Sequence, residues 1–259
     1  IGYASILVAG LVCACALIFA VTSAQQDYTI ASSGSIRMNP DWRESLEWMK
    51  DHTPDTGVNY YTLYDRETFT YPATAYGVMS WWDYGHLITY IADRIPNSNP
   101  FQAGVAGANG SAAYFISQKE EGANQIADNQ GTRYVITDIE MSTGKFWAMA
   151  TWYNSSEKQF PYLPLYYLPD PTNAHSYQPL TAYTDQYFMT MVSRLHNFDG
   201  SYTPAGEVYY VEYTTSIGTR SDQRVITKAT VMDTDEAEAA AARYNQQAQP
   251  GTGAAVIST

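Results

Sequence analysis

The chain begins with a long apolar segment. Residues 6–21 are almost wholly apolar, and the first charged residue is Asp27. About 20 such residues cross the hydrocarbon core of a bilayer, so the pattern predicts a transmembrane helix over residues 1–24. A signal peptide is the alternative, although no initiator methionine and no basic segment precede the apolar run. Both interpretations place the residues that follow outside the cytoplasm.

Helical periodicity dominates the next part of the chain. A polar linker is predicted over residues 25–40, after which apolar residues recur every three or four positions, as in amphipathic helices. The pattern predicts helices near residues 41–51, 85–95, 112–129 (interrupted near Gly122), 138–153 and 183–196, and a short buried strand at 133–137. Residues 55–80 and the proline-rich residues 154–180 are predicted to be irregular.

The last part of the chain has a different pattern. Residues 208–215 and 224–232 predict a strand pair, residues 236–247 an Ala-rich helix, and the residues from Gly251 onward a loose tail. The expected fold class is α+β: an N-terminal transmembrane helix, then a mainly α-helical extracytoplasmic domain with a smaller β-containing part. We divide the chain into a transmembrane helix (1–24), a linker (25–40), a mainly helical domain (41–200), and a segment with strands, helix and tail (201–259).

Composition excludes several classes of protein. With 26 acidic and 14 basic residues, the net charge is −12, which disfavours binding to nucleic acid or to anionic lipid headgroups. A hydrophobic fraction of 45% excludes an intrinsically disordered chain. Both cysteines lie in the apolar segment, so no disulfide framework holds the remainder. The 23 tyrosines and 6 tryptophans favour binding surfaces with aromatic side chains.

One pentapeptide stands out, Trp81-Trp82-Asp83-Tyr84-Gly85. It places two indole N–H donors and a carboxylate acceptor at the start of a predicted helix. Such a group can hold a hydroxyl, which both donates and accepts a hydrogen bond. From residue types alone, a buried aromatic pair with Asp83 as a helix N-cap is an equally good interpretation.

The pentapeptide resembles the signature of the catalytic subunit of oligosaccharyltransferases, and residues 76–86 and 99–103 resemble the archaeal members in particular. Residues 193–200 are similar to another segment of that family. The resemblance covers the last transmembrane helix and the C-terminal globular domain. It implies a multi-pass enzyme of the cell membrane, a glycosyltransferase that moves a lipid-linked oligosaccharide onto asparagine in Asn-x-Ser/Thr sequons.

A second motif of that family matches Asp138, Met141 and Lys145. At about 100° per residue, the offsets +3 and +7 put these side chains on one face of a helix. Taken alone, the pattern is weak, and an amphipathic helix capped by Asp138 explains it better. Gly144 weakens this helix by roughly 1 kcal/mol relative to alanine, so its last turn is in doubt.

The resemblance also implies roles for these residues. The sequon hydroxyl would be contacted by Trp81, Trp82 and Asp83, while Tyr84 and Gly85 would fix the turn. Met141 would touch the methyl group of an acceptor threonine, with Lys145 close by and Asp138 without a defined part.

The resemblance further implies Mn²⁺ or Mg²⁺ bound by membrane-embedded carboxylates that would lie upstream of residue 1. The resemblance thus places the catalytic residues outside the chain, and because the four histidines are scattered we expect no metal ligands within it. His86 is expected on a helix surface. The fragment should therefore recognise the acceptor protein without transferring sugar alone.

Two sequons occur in the chain itself, at Asn109 and Asn154, and unmodified loop residues are an equally good interpretation of both. Two other classes of protein also remain open. A secreted carbohydrate-binding or surface-layer module would share the acidic, aromatic-rich composition. A membrane-anchored protease or esterase is the third alternative, although the chain has no Gly-x-Ser-x-Gly motif.

Overall fold

The computed structural model describes residues 2–32, 38–65, 67–205, 207–215 and 223–258. The chain separates into two compact units, one ending at Thr53 and the other beginning at Pro54. Helices and strands both contribute, which confirms the expected α+β class.

The first unit contains two helices, α1 (Tyr3–Ser32) and α2 (Pro40–His52). Within α1, Ile6–Ser32 is long and apolar enough to cross a membrane by length and composition, criteria that a signal sequence also meets. The helix continues into the predicted linker, where the Thr29 hydroxyl donates to the Gln25 carbonyl at 2.8 Å. Residues 33–37 of that linker lie outside the described residues.

Helix α2 begins as predicted. The Asn39 side chain caps it by accepting from the Asp41 N–H at 2.9 Å. Trp48 is exposed, and its ring stacks on His52 with 5.0 Å between centroids. The buried residues of the helix are Trp42, Leu46 and Met49.

The second unit contains a three-stranded parallel sheet with the order β2-β1-β3. Its strands are β1 (Gly77–Met79), β2 (Ile95–Pro96) and β3 (Thr132–Val135). The prediction of irregular structure over residues 55–80 is wrong at β1, which is too short to show a strand pattern. Strand β3 forms where a buried strand was predicted, but it lies at the sheet edge and alternates between half-buried and exposed residues.

Helices surround this sheet, and three predicted helices are each split into two. Residues 112–129 form α4 (Ser111–Ile116) and α5 (Glu120–Asn129), so the predicted interruption falls at residues 117–119 and not at Gly122, which lies within α5. Residues 183–196 form α8 (Asp185–Met189) and α9 (Met191–Asn197). The second split occurs at Thr190, whose side chain caps α9 by accepting from the Ser193 N–H. A polar residue within a helical pattern can thus end one helix and start the next. The third split lies in the candidate site.

A five-stranded sheet forms the rest of the unit, with the order β5-β4-β7-β6-β8. Its strands are β4 (Leu165–Asp170), β5 (Asn173–Thr181), β6 (Glu207–Thr215), β7 (Arg224–Asp233) and β8 (Thr252–Ile257). The predicted pairing of β6 with β7 is confirmed, as is the Ala-rich helix, α10 (Thr234–Gln247). Ala237 and Ala241 of α10 pack on residues of β6 and β8.

Two predictions for this region are wrong. Residues 154–180 contain β4 and β5, which tolerate proline because β5 is an edge strand and β4 pairs with β7 only at Tyr166 and Tyr167. The supposed tail forms β8, where a side chain at Gly253 would collide with Tyr213. The proposed domain division stays a prediction, although the sheet takes strands from both sides of residue 200.

Candidate functional site

The pentapeptide begins one residue after β1, beyond Ser80, and includes a 3₁₀ turn (Trp82–Tyr84) that leads into α3 (Gly85–Ala92). Trp81 is 1% exposed, whereas Trp82 and Asp83 are half-buried. The two indole rings lie 6.2 Å apart at 54°. Neither the turn nor α3 has a side-chain cap, so the alternative interpretation of Asp83 as an N-cap is wrong.

Gly85 allows the turn to pack against a neighbouring segment. A Cβ at this position would lie 2.3 Å from the Ser98 carbonyl oxygen and 2.6 Å from the Asn99 Cα atom. The Ser98 hydroxyl donates to the Ser80 carbonyl at 3.0 Å, which ties this segment to the residue before the pentapeptide. Any larger residue at position 85 therefore displaces backbone.

The second motif does not lie on one helix. Asp138 caps α6 (Ile139–Ser142), where its Oδ1 atom accepts from the Met141 N–H at 2.8 Å. The chain then breaks, and α7 (Phe146–Tyr153) begins after Lys145. The predicted continuous helix is therefore wrong, and the break falls at Gly144, the residue that made the last turn doubtful.

Despite the break, the second motif meets the pentapeptide through Lys145 and Asp138. The Lys145 Nζ atom donates to Asp83 Oδ2 at 2.7 Å and to the Tyr84 hydroxyl at 2.9 Å. The Tyr84 hydroxyl in turn donates to Asp138 Oδ2 at 2.6 Å. Burial, followed by the hydrogen bond to Asp138, raises the pKa of Tyr84 far above its ordinary value. Tyr84 therefore remains a neutral donor at physiological pH.

Two polar atoms of the pentapeptide are left without a partner. Trp82 Nε1 and Asp83 Oδ1 are buried, and neither forms a hydrogen bond with any described residue. A buried donor or acceptor that is left unpaired costs about 1–3 kcal/mol. The pair consists of one donor and one acceptor on adjacent residues, which is the complement of a hydroxyl group.

Met141 occupies the interior of the site. Its side chain is fully buried, and the Ser80 hydroxyl lies 3.8 Å from its sulfur while donating to the Ile136 carbonyl at 3.1 Å. The predicted contact with an acceptor methyl group stays a prediction. Ser80 and Ser98 were not identified from the sequence, because small polar residues beside a motif carry no pattern of their own.

The remaining candidates lie outside this network. Residues 193–200 include the end of α9, where Arg194 Nε donates to the Gly200 carbonyl at 2.9 Å, a structural contact. His86 is exposed beside Phe101, with 5.1 Å between ring centroids, which confirms its expected place on a helix surface.

A divalent cation does not fit the described part of the chain. No group of three or more His, Cys, Asp or Glu side chains is close enough to hold one among those residues. At the pentapeptide, the ammonium group of Lys145 already occupies one oxygen of Asp83.

Comparison with known proteins relates this arrangement to one family. Residues 39–142 match the family model described as the AglB core domain (AglB core-like). The chain is similar to archaeal oligosaccharyltransferases. The resemblance drawn from the pentapeptide is thereby confirmed.

The AglB-like relatives are much longer than this chain. It is 35% identical over 219 residues to dolichyl-phosphooligosaccharide-protein glycotransferase 3 of Archaeoglobus fulgidus, covering 72% of this chain and 25% of the relative. It is 35% identical to the glycotransferase AglB of Haloferax volcanii, covering 64% of this chain and 18% of that protein. The chain thus spans a quarter or less of the length of both relatives.

Solved structures show the same relationship. The A. fulgidus oligosaccharyltransferase in complex with zinc and sulfate superimposes with a TM-score of 0.55 at 34% identity, covering 78% of this chain and 29% of that one. The same enzyme tethered to an acceptor peptide containing an NVT sequon gives a TM-score of 0.53 at 33% identity, covering 80% and 27%.

Proposed function

We propose that this chain is the acceptor-recognition part of an archaeal oligosaccharyltransferase, which transfers a lipid-linked oligosaccharide to asparagine in Asn-x-Ser/Thr sequons. The observation that carries the proposal is the unpaired donor and acceptor at Trp82 Nε1 and Asp83 Oδ1. The similarity to an enzyme that was crystallised with an NVT-containing acceptor peptide supports it.

In this proposal the sequon hydroxyl donates to Asp83 Oδ1 and accepts from Trp82 Nε1. Lys145 holds the other carboxylate oxygen of Asp83, so the free oxygen has a fixed direction and a compensated charge. The Tyr84 hydroxyl accepts from Lys145 and donates to Asp138, and these two hydrogen bonds hold Lys145 and the 3₁₀ turn in place. These three residues position the pocket. Because Trp81 is 1% exposed, we assign it to packing behind the pocket and not to the hydroxyl contact that the resemblance implies.

The free energies expected for a hydroxyl contact and for a methyl contact agree with these roles. A site built around a hydroxyl rejects an analogue without it by roughly 10⁴-fold, because the buried partners stay unpaired. That ratio is sufficient to define a sequon. An additional buried methyl group contributes only about 0.8 kcal/mol, a few-fold preference for threonine over serine. We propose that Met141, behind Ser80, sets the depth of the pocket in which this methyl lies.

We assign sugar transfer to the part of the longer relatives that has no counterpart in this chain. The proposal includes Mn²⁺ or Mg²⁺ bound there, multiple membrane spans, α1 as one of those spans, and the second unit on the extracytoplasmic face. A related A. fulgidus structure contains an inhibitory peptide and dolichol-phosphate, which supports acceptor peptide and lipid-linked oligosaccharide as the two substrates.

The test uses the full-length enzyme and acceptor peptides that carry Thr, Ser or Ala two residues after asparagine. We expect turnover in the order Thr, then Ser, with Ala at background, and we expect Asp83→Ala to bring all three peptides to background. Asp128→Ala is the matched control, because Asp128 is an exposed residue of α5. Normal turnover of the Thr peptide by the Asp83 variant would contradict the proposal.

A further inference from the structure

The two sequons of the chain differ at the residue that the proposed reaction recognises. Exposure of the asparagine itself favours the first sequon, because Asn109 is exposed and Asn154 is half-buried. The hydroxyl two residues later favours the other order: Ser111 is fully buried, whereas Ser156 is exposed.

Each of the three residues of the sequon at Asn109 is constrained by contacts within the fold. The Ser111 N–H donates to the Gly104 carbonyl at 2.9 Å. A Cβ at Gly110 would lie 2.2 Å from the Val105 carbonyl oxygen, so the backbone there is closely packed. The Asn109 side chain accepts from Asn129 at 3.0 Å. Lifting Ser111 out therefore requires opening the start of α4.

The sequon at Asn154 lies where α7 ends and an exposed loop begins. Residues 155–158 are all exposed. The side chain of Asn154 bonds only within this loop among the described residues: its Oδ1 atom accepts from the Ser156 N–H at 3.1 Å and its Nδ2 atom donates to Glu157 at 3.0 Å. The triplet can therefore change conformation without disturbing buried residues.

We infer that Asn154 is a glycosylation site of the folded protein and that Asn109 is closed to modification. The inference rests on the proposed function for the placement of the second unit on the extracytoplasmic face. In the reaction, Asn154 Nδ2 forms a bond to the anomeric carbon of a lipid-linked oligosaccharide. The bond from that carbon to the carrier phosphate breaks, the phosphate keeps the electron pair, and the amide nitrogen releases one proton.

A glycan at Asn154 leaves the pocket free. Lys145 and Asn154 flank the eight residues of α7 at opposite ends, and such a helix is about 12 Å long. The oligosaccharide would therefore project from the end of α7 that lies away from Trp82 and Asp83.

The test incubates the intact folded chain in detergent with dolichol-linked oligosaccharide and an independent archaeal oligosaccharyltransferase. The enzyme is chosen because it accepts synthetic peptides covering residues 105–114 and 150–159 alike. Site occupancy is read by mass spectrometry of the digested product. We expect at least tenfold higher occupancy at Asn154 than at Asn109, loss of the former in Ser156→Ala, and no change in Ser111→Ala.

Two results would overturn the inference. One is equal occupancy of the two sites in the folded chain, and the other is an unmodified Asn154 in a chain whose peptide is accepted. Because the sugar is transferred by a separate enzyme, neither result depends on whether this chain recognises acceptors itself. Unfolding the chain before the reaction should make Asn109 reactive, which separates closure by the fold from an unsuitable sequence.

Discussion

Replacing Trp82 by phenylalanine separates the recognition of a hydroxyl from the stability of the fold. The indole N–H is buried without a partner among the described residues, so its removal relieves a penalty of about 1–3 kcal/mol in the ligand-free protein. The smaller ring buries less apolar surface at this half-buried position, which costs on the order of 1 kcal/mol. The two effects oppose each other, and the free energy of unfolding should change by no more than about 2 kcal/mol.

The same substitution should only weaken the recognition of the acceptor peptide. In the proposed site the sequon hydroxyl would lose its donor, and a loss of about 1–3 kcal/mol should lower kcat/KM for a threonine peptide roughly 5- to 150-fold. A variant that keeps its stability but loses turnover is the expected signature of a ligand contact.

The assay measures kcat/KM of the full-length enzyme with an Asn-x-Thr peptide, and denaturant unfolding of the same variant. Trp147→Phe is the matched control, because this residue of α7 is 56% exposed and has no part in the network. Unchanged kcat/KM in the Trp82 variant would refute the assignment. Destabilisation by more than about 3 kcal/mol would instead identify the indole as a packing residue.

Three further predictions concern neighbouring residues. Gly85→Ala places a methyl group 2.3 Å from the Ser98 oxygen and should lower the free energy of unfolding by about 1–3 kcal/mol. Gly122→Ala is the control and should not, because its nearest contact would be at 3.4 Å. Equal denaturation midpoints for the two variants would contradict this. Met141→Ala should bring the ratio of kcat/KM for threonine and serine peptides towards one, and an unchanged ratio would count against its role. The raised pKa of Tyr84 means that the unfolded chain loses this proton first, so its stabilising contribution is full below a pH of about 10 and falls above it. Tyr84→Phe should therefore lose less stability than the parent between pH 10 and 11 in denaturant titrations, and equal losses would refute the linkage.

Much of the helical part could be predicted because its signals are local. Asn39 caps α2, and the strand pair β6–β7 and the helix α10 follow from residues adjacent in sequence. The pentapeptide was identified by its residue types, which need no fold to be noticed.

The connections within the site could not be predicted in the same way. Lys145 reaches Asp83 across 62 positions, and no pattern in either segment reports that ion pair. A periodicity of three or four residues also runs unchanged through a helix break, so Gly144 alone pointed to the separation of α6 from α7, where the Lys145 N–H donates to the Glu140 carbonyl. The prolines of β4 and β5 led to a wrong prediction of irregular structure. Proline is a strong local signal against a strand, but a sheet edge tolerates it, and the position of a strand in the sheet is set by tertiary structure.

The strand order of the two sheets has a consequence for the order in which the molecule can be built on the ribosome. All three strands of the sheet beside the pentapeptide have been synthesised once residue 135 is made, and Lys145 follows ten positions later. The larger sheet must wait, because β6 is bordered by β8 and stays unpaired on that side until residue 257 emerges. During translation the residues around the pentapeptide can thus assemble while the larger sheet still exposes an open strand edge, which is the part of the nascent molecule prone to pairing with other chains.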